Sequence, residues 1–191
     1  MTVPRLFLVA PKTLDGKSVI ACASAACAVA DCASILVHET IRQEEVAELQ
    51  ALGLAVLVAD VEPRIVSRLR AEGLHVSNLE FAIVDLRMSL PRDAMVGVDC
   101  GTSRHAAMEA SEQGADYVAF HQRAQTIGEP LIGWWNDIAE IPAVPLDAVT
   151  AEDLAKLKPQ KPDFLRPMDE MWQSPEDAVR VVTTLIAKLG A

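Results

Sequence analysis

Short apolar runs alternate along the chain with longer stretches whose apolar residues recur at helical spacing. Residues 5–10 (RLFLVA), 34–38 (SILVH) and 54–59 (LAVLVA) are predicted strands. They are apolar almost throughout, as strands covered on both faces are. Between them, residues 17–30 form an Ala/Cys-rich helix, and residues 43–52 carry Val46, Leu49 and Leu52 on one stripe ended by Gly53. Residues 62–72 are a third helix, with Pro63 in its first turn and Gly73 as its stop. Residues 74–76 are a short strand, followed by a weakly patterned helix at 79–88.

The second half keeps the rhythm. Strands are predicted at 95–99 (MVGVD), 117–121 (YVAFH), 141–146 (IPAVPL) and 163–166 (DFLR). The helices lie at 102–113, capped by Thr102 or Ser103 and stopped by Gly114, then at 134–139 after a polar loop, and at 151–157 behind Thr150. Ser174-Pro175-Glu176-Asp177 opens a C-terminal helix with Ser at the N-cap, Pro at N1 and acids in the first turn. Eight β units, each followed by a helix and with no hairpin signals, imply a parallel sheet. The expected fold is a compact single-domain (β/α)8 TIM barrel over residues 1–191, with a doubly wound open sheet as the alternative. Neither GxGxxG nor GxxxxGK[ST] follows the first strand.

Composition narrows the function. Asp+Glu number 27 against 17 Lys+Arg, a net charge of −10, and aromatic residues are only 4%. Nucleic acid and anionic membranes call for a basic surface, and base stacking calls for aromatic platforms, so neither is an expected partner. No apolar run is long enough for a membrane span, and the first ten residues are too short an apolar run for a signal peptide. Cys22, Cys27 and Cys32 step by five, which rotates each by roughly 140° around a helix, so they share no face. The spacing does not match a zinc knuckle, and small buried thiols in a reducing cytoplasm are expected.

Chemistry in a barrel sits at the C-terminal ends of its strands. Those ends carry His38, Asp60, His75, Asp99, His121, Asp147 and Arg166 on strands two to eight. Three of the four histidines are among them, while His105 falls inside a helix. Imidazoles and carboxylates around one rim can hold a divalent cation or move protons. Strands also simply end on polar residues, and His75, inside Leu74-His75-Val76, can equally point into the barrel as a hydrogen-bonded core residue.

From about residue 54 to 144 the chain resembles the thiamine-phosphate synthase family of small (β/α)8 barrels. The family's Asn-Asp after strand three corresponds to Ala59-Asp60, and its Gly-Val-His-Leu-Gly-Gln-x-Asp to Gly73-Leu74-His75-Val76-Ser77-Asn78-Leu79-Glu80. Ile-Gly-Val-Ser is matched by Val96-Gly97-Val98-Asp99, Gly-Ala-Asp-Tyr-Ile by Gly114-Ala115-Asp116-Tyr117-Val118, and Ile-Pro-Val-Val by Ile141-Pro142-Ala143-Val144. The first strand also fits. The resemblance implies an enzyme of thiamine biosynthesis that joins a hydroxymethylpyrimidine pyrophosphate to a thiazole phosphate. It implies Mg²⁺ on Asp60 and Glu80, no organic cofactor, small-molecule partners, a cytoplasmic setting, and a possible homodimer.

Departures from the pattern cluster at the phosphate elements. The family's Gln-x-Arg-x-Lys after strand two is His38-Glu39-Thr40-Ile41-Arg42, and its Thr-x-x-Lys after strand six keeps only Thr126. Its Gly-Gly after strand seven is Leu146-Asp147, and its Val-Ser turn after strand eight is Leu165-Arg166-Pro167-Met168. A Cβ and a carboxylate where phosphate approaches backbone N–H groups weaken binding in the family's manner. Arg42, Arg123 and Arg166 are candidates for a substitute anion clamp, with His75 and Asn78 beside the substrate. A sister group, the thiazole tautomerases, has a catalytic histidine in Phe-Gly-His-x-x-x-Thr. Here Phe120 and Thr126 keep that separation, but His121 comes one position early, which on a regular strand reverses its facing. Three functions follow: synthase, proton-transferring isomerase with His121, His38 and Asp99 as catalytic groups, or non-catalytic binding barrel. Smaller features carry plainer expectations. Trp134-Trp135 and Met168, Met171 and Trp172 are packing residues more than ligand contacts, and Glu44, Glu45 and Glu48 form a solvated helix face.

Overall fold

The computed structural model describes residues 3–77, 82–124, 128 and 130–190. Its strands are β1 (Arg5–Val9), β2 (Cys32–Val37), β3 (Ala55–Ala59), β4 (Gly73–Val76), β5 (Met95–Asp99), β6 (Tyr117–Phe120), β7 (Ala143–Pro145) and β8 (Phe164–Leu165). The helices between and after them are α1 (Gly16–Cys27), α2 (Gln43–Ala51), α3 (Pro63–Leu69), α4 (Ile83–Ser89), α5 (Arg104–Glu112), α6 (Leu131–Ile138), α7 (Ala151–Leu157) and α8 (Pro175–Gly190). Every ladder is parallel, and the order runs β7-β6-β5-β4-β3-β2-β1-β8. Sequential order with β8 returning beside β1 is a wound barrel, not the doubly wound alternative, in which the order reverses at an internal switch point. β7 and β8 share no ladder among the described residues. Their seam is closed instead by Val149 N–H donating to the Arg166 carbonyl (2.8 Å) and by Arg166 Nη1 donating to the Leu146 carbonyl (2.6 Å).

Strand side chains alternate between two apolar layers. Phe7, Leu36, Leu57, Tyr117, Ala119, Val144 and Leu146 fill the barrel. Leu6, Leu8, Ile35, Val56, Val58, Val96, Val98 and Val118 face the helices. Both faces are dry, which is why the strands read as unbroken apolar runs.

Most boundaries follow the sequence signals. Asp15 caps α1 by accepting from the Lys17 and Ser18 N–H groups, Ser103 caps α5, and Thr150 with Asp153 forms a capping box on α7. Three expectations are corrected. Gly73 does not stop α3. Arg70 in the left-handed region (φ 57°) ends it, and Gly73 opens β4, where a Cβ would lie 2.3 Å from the Met95 carbonyl oxygen. The sixth helix starts at Leu131, not 134, because Leu131, Ile132 and Trp135 together form its buried face. Glu45 is not solvated; it is 5% exposed, ion-paired with Arg42 and packed over Gly16, where a Cβ would collide with its carboxylate. Cys22, Cys32 and Cys100 are buried, Cys27 is half-buried, and all four are free thiols. Trp135, Met171 and Trp172 are buried in the core, as expected. Among the described residues no helix is long and apolar enough to cross a membrane.

Candidate active site at the barrel mouth

The two-residue period of the strands carries polar side chains into the mouth. Leu36 and Ala119 line the barrel, and Gly97 and Phe164 abut its contents. Two residues on, in the same facing, stand His38, His121, Asp99 and Arg166. His121 is therefore in phase with Tyr117 and Ala119, and its position one residue early in the tautomerase pattern does not turn it away from the mouth.

The tightest cluster joins β5, β6 and the turn after β7. His121 Nε2 lies 3.0 Å from Asp99 Oδ2, and Nδ1 lies 3.5 Å from Asp147 Oδ1. The imidazole is 40% exposed, while Asp99 and Asp147 are 17% and 21% exposed, so a half-open ring is held between two mostly covered carboxylates. Both carboxylates are themselves oriented. Asp99 accepts from the Gly101 N–H at 2.8 Å and Asp147 from the Arg123 N–H at 2.7 Å.

Beneath this cluster lies a dry floor. His75 is 3% exposed, and its Nδ1 hydrogen-bonds the Tyr117 hydroxyl at 2.8 Å with the rings stacked. Burial pushes the His75 pKa down to about 4, against the opposing pull of Asp99 and Asp60, so the ring is neutral at physiological pH. Burial likewise pushes the Tyr117 phenol upward. His75 is thus a core residue one layer below the rim, not a rim residue. The ring of Tyr117 fits because Gly97 lies opposite it in the ladder, where a Cβ would come within 1.8 Å of the ring.

The other predicted residues spread around the rim. His38 donates from Nε2 to the Ala10 carbonyl at 3.1 Å, and burial lowers its pKa. Asp60 sits in the left-handed region (φ 51°) and accepts from the Ser77 N–H (2.8 Å) and hydroxyl (2.6 Å). The three arginines do not converge into one clamp. Arg42 pairs with Glu45, and Arg123 with Asp153 and the Ala148 carbonyl. Arg166 bonds the Leu146 carbonyl across the seam and Asp169 three residues on, with its buried Nε unpaired. Asn78, Glu80 and Thr126 lie outside the described residues. The backbone at the family's Gly-Gly position is already committed, since the Leu146 N–H donates to Phe120.

A metal site is not assembled by what is described. No group of three His, Cys, Asp or Glu side chains among the described residues can hold an ion, and both oxygens of Asp60 are engaged by Ser77. Sequence reasoning allowed His75 as a hydrogen-bonded core residue, as it is, but missed its partner Tyr117 and the Ser77–Asp60 pair. The first had a signal, a glycine inside a strand pattern, which marks a close approach. The second depends on a non-glycine residue in the left-handed region and had none.

The fold and its mouth define a class first: a (β/α)8 barrel with ionisable side chains gathered at the C-terminal rim. Comparison then places the chain within that class. A family model described as thiamine monophosphate synthase matches residues 6–163, and the chain belongs to that family. It is 31% identical over 192 residues to a thiamine-phosphate synthase of Rhodospirillum centenum, covering 92% of both chains. It is 35% identical over 154 residues to one of Erythrobacter litoralis, covering 74% of this chain and 71% of that one. A solved thiamine phosphate pyrophosphorylase from Pyrococcus furiosus superposes with a TM-score of 0.74 at 14% identity, covering 95% and 96% of the two chains. Orotidine 5'-monophosphate decarboxylase from Methanocaldococcus jannaschii superposes at 0.71 and 15% identity over 100% of each, which extends the likeness of fold alone.

Proposed function

We propose that this barrel catalyses thiamine-phosphate synthesis: a hydroxymethylpyrimidine diphosphate is joined to a thiazole phosphate at the C-terminal mouth. The relationship over 92% of both chains carries this reading. In the reaction the bond from the pyrimidine methylene to diphosphate breaks, and a bond from that carbon to the thiazole nitrogen forms. Positive charge develops on the methylene and remains on the thiazolium. Asp99 and Asp147, oriented by backbone N–H groups and covered from solvent, offer fixed negative charge to a cationic ring. Asp60 adds a third carboxylate at the rim. The described residues do not complete a Mg²⁺ site, so no step is routed through the ion; Asp60 and Glu80 are the residues that the resemblance implies would hold it, and Asp60 would have to release Ser77 to do so. Incubation with both substrates, with and without Mg²⁺, should yield thiamine phosphate and free pyrophosphate. No product against an active control rejects the reading.

One observation favours a second reading. An imidazole held by one carboxylate and facing a second is oriented to pass a proton to or from a ligand in the mouth. On a thiazole alone this would be a tautomerisation, with His121 transferring the proton between two ring carbons. Solvent deuterium entering the thiazole phosphate in the absence of pyrimidine distinguishes the two, and its absence removes the second reading.

A further inference from the structure

On the β1–β2 side of the mouth, the connections β1–α1 and β2–α2 border an open cavity of about 470 Å³. Its walls include Lys12, Thr13, Lys17, His38, Thr40 and Arg42. The carboxylates on the same walls are already engaged. Asp15 caps α1, and Glu45 is paired with Arg42. Lys12 and Lys17 are exposed, and neither ammonium has a carboxylate partner among the described residues. In a chain of net charge −10, two lysines without a carboxylate partner among the described residues face one cavity, whereas Arg42, Arg123 and Arg166 are each tied to an acid. His38, at the end of β2, lines this cavity as well as the mouth, so the two are continuous at that residue.

We propose that this cavity is an anion subsite in which Lys12 and Lys17 hold the diphosphate of the pyrimidine substrate. The inference rests on the synthase reading. Phosphate elements of the family pattern follow strands two, six, seven and eight, and the β1–α1 connection is none of these. In this chain the lysines after strands two and six are missing, and Asp147 has added negative charge after strand seven. Cations on the β1–α1 side restore the lost charge from a new direction. The two ammonium groups hold the diphosphate oxygens through charge-assisted contacts, in substrate and leaving group alike.

The test is calorimetric titration of the purified chain with inorganic pyrophosphate in metal-free buffer. The wild type should bind saturably, and Lys12→Ala/Lys17→Ala should bind at least about tenfold more weakly, from the loss of two charge-assisted contacts. Lys12→Arg/Lys17→Arg should keep most of the affinity, and Lys188→Ala on α8 should change nothing. Equal affinity in the alanine double variant, or no saturable binding by the wild type, overturns the subsite. Failure of the synthase reading looks different. A wild type that binds pyrophosphate through the two lysines yet forms no thiamine phosphate keeps the subsite and rejects that reaction. One that forms product with an unchanged KM in the double variant does the reverse.

Discussion

The two sides of the mouth are built differently. On the β5–β7 side, Asp99, His121 and Asp147 stand on a buried floor of His75, Tyr117 and the glycine notch at Gly97, and each acid is fixed by a backbone N–H. On the β1–β2 side, the cavity is lined by buried residues such as Val37 and Glu45 and by the exposed Lys12 and Lys17, whose ammonium groups have no carboxylate partner among the described residues. A rigid acidic wall suits a positively charged ring whose position must be exact to a fraction of an ångström. A flexible basic wall suits a diphosphate, which needs charge more than shape. The contrast teaches that rate and affinity should separate by side: substitutions on the rigid side change kcat or stability, and those on the loose side change KM.

The largest effect is expected from Asp99→Asn, which keeps the shape but removes the charge facing the ring. Loss of one preorganised electrostatic contact should lower kcat by about 10²–10³-fold, read in a steady-state assay with little change in KM. A fall in affinity alone would break the division of labour.

Next is the floor. The folded pKa of His75 is about 4 against an ordinary 6.5, so below pH 6.5 the unfolded chain takes up a proton that the native core refuses. Its contribution to stability is complete above that value and disappears as pH falls toward 4, by roughly 3 kcal/mol. Urea midpoints measured across this range should decline in the wild type and flatten in His75→Gln. An unchanged slope would show that the floor is not the dry platform described.

Gly97→Ala should cost about 1–3 kcal/mol by overpacking against the Tyr117 ring, lowering the melting temperature with no change in pyrophosphate affinity. The smallest effect belongs to the loose side, where Lys12→Ala alone should raise the KM for the diphosphate substrate severalfold and leave both kcat and the melting temperature in place.

Much of this was legible in the residues. Alternating runs and caps such as Ser103 and Thr150 are local signals, and the apolar strands announced a sheet covered on both faces. The rim residues followed from where those runs stop. What escaped depends on contacts distant in sequence. His75 stands at a polar break in its strand, yet its partner Tyr117 lies on another strand, and only the β5–β6 ladder reveals that Gly97 makes room for that ring. Glu45 belongs to an acidic helix face by spacing, but Arg42 and the space over Gly16 draw it inward. Arg123 and Arg166 looked like free anion ligands, while Asp153, Asp169 and the Leu146 carbonyl across the β7–β8 seam claim them instead.

The most direct test compares thiamine phosphate formed from the two precursors by the wild type and by His121→Ala, at saturating concentrations of both. Product is expected from the wild type and a fall of about tenfold in the variant, because the His121 ring stands between Asp99 and Asp147 and helps hold the carboxylates that face the substrate. Equal turnover by the two proteins, or none by the wild type beside an active relative, would contradict this.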